Sequence, residues 1–254
     1  MVQHVTPVDK AISNSCLINQ TVTSFPCISY NYRLLFHATS FSQSCQMSPV
    51  NHFTIRDASL AKDMAFIVSV FDASLPYIAS VGSQAQWGST PFSQRPGWID
   101  ETQRQIQESE QNSISNTTNA LRILVLEVEV TKQGVLDIGC KAMQSRTGDD
   151  GRWFVAVGFA FVRGNWLPNY LHASVVAKID LAHLDETLYV EVMVSDSRMR
   201  DRIRGIGAAL LCEVRKWGYS RGKKTLYLDG WAGNERKLIG QVRFSICGND
   251  AVLT

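Results

Sequence analysis

The chain has 254 residues, of which 45% are hydrophobic and 19% are charged, and this composition excludes a wholly disordered, collagen-like or coiled-coil protein. Its 25 basic and 23 acidic residues give a net charge of +2, which argues against a nucleic-acid-binding protein. No window reaches the roughly 18 uninterrupted apolar residues of a membrane helix, so we expect a globular protein with neither nucleic acid nor a membrane as partner.

The first fifty residues hold eight serines and three charged residues and show no sustained periodicity. We interpret residues 1–46 as a flexible N-terminal extension and residues 47–254 as the folded domain. An organelle transit peptide is the alternative, but such peptides are rich in arginine and this segment contains one. The scattered cysteines suggest free thiols, no metal site and a cytoplasmic location; they are Cys16, Cys27, Cys45, Cys140, Cys212 and Cys247.

Readable periodicity begins at Phe53. Residues 53–56 predict a short strand, and a helix with apolar residues at Met64, Ile67, Val68 and Phe71 follows. Residues 72–99, rich in serine, glycine, proline and aromatic residues, predict a long loop, and residues 100–112 predict a polar surface helix. In residues 121–130 the apolar residues alternate with Glu127 and Glu129, which predicts a half-buried strand with both glutamates facing outward.

The second half of the chain predicts a parallel strand pair. Residues 153–162 are almost continuously apolar, which is typical of a strand buried on both faces. Residues 188–194 predict a strand, residues 205–220 a helix with one apolar stripe, and residues 225–229 another strand. A strand, a helix and a strand within about forty residues indicate two parallel strands joined by a right-handed crossover.

The turn before this helix has the composition of an anion-binding site. Its sequence, Arg202-Ile-Arg-Gly-Ile-Gly-Ala208, combines two glycines, which let a phosphate approach the backbone, with the free amide groups of a helix N-terminus. Arg202 and Arg204 add charge-assisted contacts. Two glycines that merely ease a tight strand-to-helix junction are the alternative interpretation.

In its order of elements the chain resembles the GNAT superfamily of acetyl-CoA-dependent N-acetyltransferases. The family signature, Gln/Arg-x-x-Gly-x-Gly/Ala, matches residues 202–208 and lies between the strand ending at Val194 and the helix. The following strand and Asn234 also fall in the family order. The resemblance covers about residues 53–234 and does not include residues 1–46.

This resemblance implies an α+β fold with a mixed, mostly antiparallel sheet, helices on both faces and one parallel pair that splays apart around acetyl-CoA, the acetyl donor. It implies that the main chain of Val192 and Val194 binds pantetheine and that Asn234 contacts the same arm. An amide of Met193 or Val194 would stabilise the negative charge that develops during acetyl transfer. The pyrophosphate would lie on the amides of Ile203, Arg204, Gly205, Ile206, Gly207 and Ala208.

The resemblance also implies a base that deprotonates the acceptor amine, and Glu191 is our candidate. A solvent-facing or ion-paired strand glutamate is the alternative, and Asp229 is a second candidate base. The loop Trp87–Trp98 falls where the family binds its acceptor, although ordinary packing is the simpler interpretation. We interpret two further groups as surface residues: the acids Asp180, Asp185 and Glu186, and the histidines His172 and His183.

Two departures from the family concern the site. The connection from Val194 to Gly205 is a few residues longer than usual, and Gly240-Gln241 replaces the family's leaving-group tyrosine. Because the chain after Phe244 is too short for the family's last two strands, we expect an uncovered sheet edge.

We therefore predict an N-acetyltransferase that transfers the acetyl group of acetyl-CoA to a primary amine, with a homodimer left open. A weak or inactive acyl-CoA-binding remnant of the family is the alternative. The third interpretation is a binding module for a phosphate-containing ligand other than acetyl-CoA.

Overall fold

The computed structural model describes residues 33–38, 52–115, 120–131, 144–168, 181–231 and 251–253. Within these residues the strands are β1 (Arg33–Ala38), β2 (Phe53–Asp57), β3 (Leu121–Val130), β4 (Ser145–Thr147), β5 (Trp153–Gly164), β6 (Thr187–Ser195), β7 (Thr225–Trp231) and β8 (Ala251–Leu253). The α-helices in the same part of the chain are α1 (Leu60–Ser80), α2 (Trp98–Ile114) and α3 (Ile206–Tyr219).

The described strands form one mixed sheet. Its order is β2-β3-β5-β6-β7-β1-β8, and β4 pairs with β5. The β6–β7 pair is parallel and the other pairs are antiparallel. The α+β fold with a mostly antiparallel sheet and one parallel pair is therefore confirmed.

Helices cover both faces of this sheet. On one face α3 packs its stripe of Ile206, Leu210 and Val214 against Leu188 and Val190 of β6. On the other face α1 and α2 pack against apolar residues of β3 and β5. The central strands are thus buried on both sides, as expected for β5.

The prediction of a half-buried β3 is wrong. Glu127 is 2% exposed, because its carboxylate accepts hydrogen bonds from Arg56 at 2.6 Å and from Arg146 at 2.6 Å. Arg56 also donates to Asp63 of α1 at 2.7 Å. Burial by itself lowers the pKa of Arg56, but its bonds to Asp63 and Glu127 outweigh burial and raise the pKa above its ordinary value. Buried charges that are paired in this way can lie inside a sheet layer.

The predicted loop at residues 72–99 begins too early, because α1 continues to Ser80 and carries Pro76 inside it. By length and composition α1 could also cross a membrane. However, its buried face packs on the sheet and includes Asp63, which is paired with Arg56. These contacts account for the apolar face that α1 turns toward the sheet.

The aromatic rings of the stretch Trp87–Trp98 pack against the core, although most other residues of the stretch are exposed. Phe92 and Trp98 are buried, and their ring centroids lie 4.7 Å and 5.0 Å from the ring of Phe71 in α1. Phe159 of β5 lies 5.1 Å from the same ring. Ordinary packing explains these rings, as the simpler interpretation of the sequence holds.

A strand from the N-terminal part of the chain lies beside β7. The β1 register runs from Arg33 opposite Trp231 to Ala38 opposite Leu226, and β8 pairs with the other side of β1. The expected uncovered edge at β7 is therefore wrong. Most of residues 1–46 lie outside the described residues, and the boundary at residue 47 stays a prediction.

Candidate functional site

The two parallel strands separate halfway along their length. Their register runs from Thr187 opposite Thr225 to Val190 opposite Leu228 and ends there. Beyond this point β6 continues to Ser195 with β5 as its partner, and β7 continues to Trp231 with β1 as its partner. We call the region between the unpaired ends of β6 and β7 the cleft.

A β-bulge in β6 lies where the strands separate. Val190 pairs with Val162 and Val192 pairs with the preceding Phe161, so Glu191 is an extra residue in β6. Val190 consequently packs in the layer under α3, whereas Val192 and Val194 pack in the layer under α1 and α2. Regular alternation along β6 would put Val190 and Val192 on the same face, and the bulge breaks that alternation.

The bulge also determines which main-chain groups face the cleft. Asp196 donates its amide to the carbonyl of Val157 in β5 at 2.8 Å. Since successive residues of a strand direct their hydrogen-bonding groups to opposite sides, the amide and carbonyl groups of Val192 and Val194 face β5. Those of Met193 and Ser195 face the open side.

In the connection after β6, two residues, Asp196 and Met199, accept the hydrogen bonds that shape the backbone. The buried carboxylate of Asp196 accepts the amide of Arg198 at 3.0 Å and the guanidinium of the same residue at 2.7 Å. The carbonyl of Met199 accepts the amides of Arg202 and Ile203, at 3.0 Å and 2.8 Å. The amide of Ile203, expected to contact pyrophosphate, is therefore already used within the turn.

The next residues form a helix start whose first amides have no backbone acceptor among the described residues. Gly205 has φ 80°, in the left-handed region that favours glycine, and the first hydrogen bond of α3 joins the Ala209 amide to the Gly205 carbonyl at 2.8 Å. Five amides precede this bond and have no backbone acceptor among the described residues: those of Arg204, Gly205, Ile206, Gly207 and Ala208. The helix dipole adds about half a positive charge at the same place.

Two buried side chains hold this turn on the sheet. Ile203 and Ile206 lie in the core cluster with Leu188 and Val190, while Arg202 and Arg204 are exposed. Apolar anchoring on one side thus leaves the arginines and amides on the side that a ligand can reach.

A close approach at Gly158 sets the position of the helix start. A Cβ at Gly158 would lie 2.8 Å from the Val194 carbonyl oxygen and 3.2 Å from Ile206 Cγ2. A Cβ at Gly207 would lie 3.4 Å from the Ser195 hydroxyl oxygen. Sequence reasoning missed Gly158 and Ser195, although a glycine inside an otherwise apolar strand is a known signal for a close backbone approach.

Glu191 lies on the sheet face opposite to the turn at residues 202–208. Its carboxylate accepts a hydrogen bond from Arg163 Nε at 2.7 Å, and both side chains are largely buried. Arg163 also lies 3.6 Å from Glu108 of α2 and over the ring of Trp166. The ion-paired glutamate foreseen as the alternative is therefore present, and Arg163 is the partner that sequence reasoning missed.

Among the remaining sequence candidates, those whose side chains are described lie away from this site. Glu186 pairs with Lys224 at the start of the parallel strands, and His183 and Asp185 are exposed there. Asp229 lies in β7 just after the separation, where its backbone is described. The predictions for Asn234, Asp180, His172 and Gly240-Gln241 lie outside the described residues.

The diverging parallel strands and the glycine turn at the helix start are the arrangement that a resemblance to the GNAT superfamily implies. No protein-family model and no curated protein matches the chain. Among solved structures, the chain is similar to the PaiA N-acetyltransferase of Thermoplasma acidophilum in complex with coenzyme A, with 12% identity, a TM-score of 0.42 and coverage of 80% of this chain and 96% of that chain.

A ribosomal-protein-alanine N-acetyltransferase from Brucella melitensis is similar over 75% of this chain and 82% of its own, with 15% identity and a TM-score of 0.39. At these values neither structure assigns a ligand or a residue role to this chain.

Proposed function

We propose that the protein is an acyltransferase that binds acetyl-CoA in the cleft between β6 and β7 and transfers the acetyl group to a primary amine. The observation that carries the proposal is the run of amides at residues 204–208 that have no backbone acceptor among the described residues, next to the point where the parallel strands separate. A diphosphate at this turn would place the rest of an extended donor molecule between the two strands.

The residues of the cleft fit the parts of such a donor. The amides of residues 204–208 with Arg202 and Arg204 suit the pyrophosphate. The main-chain groups of Met193 and Ser195 suit the amide groups of pantetheine, which would add to β6 as an extra strand. This assignment replaces Val192 and Val194, whose main-chain groups face β5.

The acceptor amine would reach the thioester from the face that carries Glu191. We assign to Glu191 the removal of a proton from the amine, whose nitrogen then forms a bond to the carbonyl carbon while the carbon–sulfur bond breaks. The Met193 amide would donate a hydrogen bond to the carbonyl oxygen, where negative charge develops. The second proton, which the nitrogen loses as the amide forms, would pass through water to the leaving thiolate.

Binding is tested with CoA, ADP and pantetheine, by thermal shift and calorimetry. CoA and ADP share the diphosphate, so we expect both to bind, and Gly205→Ala should weaken both. Gly222→Ala is the matched control, because Gly222 has φ 72°, is equally open around its Cα and lies beyond the other end of α3. Equal loss of affinity in the two variants, or no binding of CoA by the wild type, would refute the proposal.

Catalysis is tested by release of free thiol from acetyl-CoA with a panel of amines. The rival function, a binding remnant without activity, predicts CoA binding and no thiol release with any amine. A module for another phosphate ligand predicts neither CoA binding nor thiol release.

A further inference from the structure

The register of β1 bears on how the cleft stays open. The β6–β7 register ends at Leu228, whereas the β1–β7 register continues through Asp229, Gly230 and Trp231. The last three residues of β7 thus have β1 as their pairing partner at the level where β6 has already diverged. Residues 33–35 of β1 are the ones opposite them.

Unpaired backbone groups are costly when water cannot replace the lost partner. Without β1, residues 229–231 would lack a strand partner on either side among the described strands. This end of β7 would then fray, or would move toward β6 and narrow the cleft.

We propose that β1 is an integral strand of the domain that holds the C-terminal half of β7 away from β6 and so fixes the width of the cleft. The consequence for ligand affinity rests on the proposed function, whereas the strand pairing itself does not. The folded domain then includes residues 33–38, upstream of the boundary that the sequence suggested.

Proline substitution in the full-length protein tests the pairing. Consecutive amides of a strand point to opposite sides, so proline at one of Leu34 and Leu35 removes a bond to β7, and proline at the other removes none. Leu34→Ala and Leu35→Ala are the controls, since they shorten the same side chains and keep both amides. The readouts are hydrogen–deuterium exchange at residues 229–231 and the Kd for CoA.

We expect one proline variant to raise exchange at residues 229–231 by about tenfold and to weaken CoA binding by about three- to tenfold. The other proline variant and both alanine variants should resemble the wild type. Unchanged exchange in both proline variants, or equal changes in all four variants, would overturn the pairing. Raised exchange with an unchanged Kd would overturn the role in the cleft.

The wild type supplies a second measurement in case a proline variant does not fold. A paired β1 predicts slow exchange of alternate amides in residues 33–35 and of consecutive amides in residues 36–38, which lie between β7 and β8. Uniformly fast exchange in residues 33–38 contradicts the proposal. If the wild type fails to bind CoA, the proposed function fails, while the exchange data still decide whether β1 is a strand of the domain.

Discussion

Gly158→Ala is the substitution that tests most directly whether the helix start and the strand end act together. The new Cβ would lie 2.8 Å from the carbonyl oxygen of Val194 and 3.2 Å from Ile206 Cγ2. The first contact is with backbone, so β6 or the start of α3 must move. Overpacking of this kind costs about 1–3 kcal/mol, which for a chain of this size lowers Tm by about 2–12 °C.

The same movement should weaken CoA binding. Displacing the turn lengthens the bonds that its amides make to a phosphate, and losing one charge-assisted hydrogen bond corresponds to about a tenfold rise in Kd. We expect calorimetry to show this rise for CoA and for ADP. Thermal unfolding without ligand gives the accompanying loss of stability.

Val125→Ala is the matched control, because Val125 is fully buried in β3 under the other helical layer. It should lose a similar amount of stability, about 1–3 kcal/mol, with no change in Kd. If Gly158→Ala is destabilised and still binds CoA as the wild type does, the helix start is not the phosphate site. Equal rises in Kd for both variants would attribute the effect to general destabilisation.

Glu191→Gln should lower the turnover number by about 100-fold, remove a limb of the pH–rate profile and leave the Kd for CoA unchanged; an unaltered profile would remove Glu191 as the base. Asp63→Asn should cost about 3 kcal/mol in chemical denaturation, because it leaves Arg56 short of a buried partner. The same experiment on Glu213→Gln, which breaks an exposed pair with Lys216, should cost less than about 1 kcal/mol, and equal costs would contradict this account. Burial lowers the pKa of Lys223, and the charge of Asp185 opposes this effect. Just below pH ~10.4 the unfolded chain therefore binds more protons than the folded chain, and the free energy of unfolding rises with pH there. Lys223→Met should flatten that rise in denaturation curves between about pH 8 and 10, and identical slopes would show that Lys223 does not titrate differently on folding.

Much of the fold could be predicted from residue patterns. β3 has the predicted bounds of residues 121 and 130, and α3 and β7 begin within one residue of their predicted starts. These elements have a strong hydrophobic period and clear flanking turns, which are local signals. The extension of α1 through Pro76 was missed, because proline and serine in the sequence indicated a loop where tertiary packing supports a helix.

The candidate site was predicted less completely than the elements that carry it. The glycine turn at residues 202–208 has a local signature, and it lies at the helix start as expected. The bulge at Glu191 has no local sequence signature, because it depends on how β6 aligns with β5. A shift of one residue there moves Val192 to the other face and exchanges the main-chain groups that face the cleft.

By itself, the sequence determined the strand–helix–strand unit, the glycine turn and the buried character of β5, because each follows from the order of neighbouring residues. Only the tertiary structure decided that the parallel strands separate after Val190, that Glu191 pairs with Arg163, and that β1 lies beside β7. These features join residues from 28 to nearly 200 positions apart, as the Arg163–Glu191 and Arg33–Trp231 pairs illustrate. Their stability depends on strand register and on charges brought together by folding, and neither leaves a periodic trace in the chain.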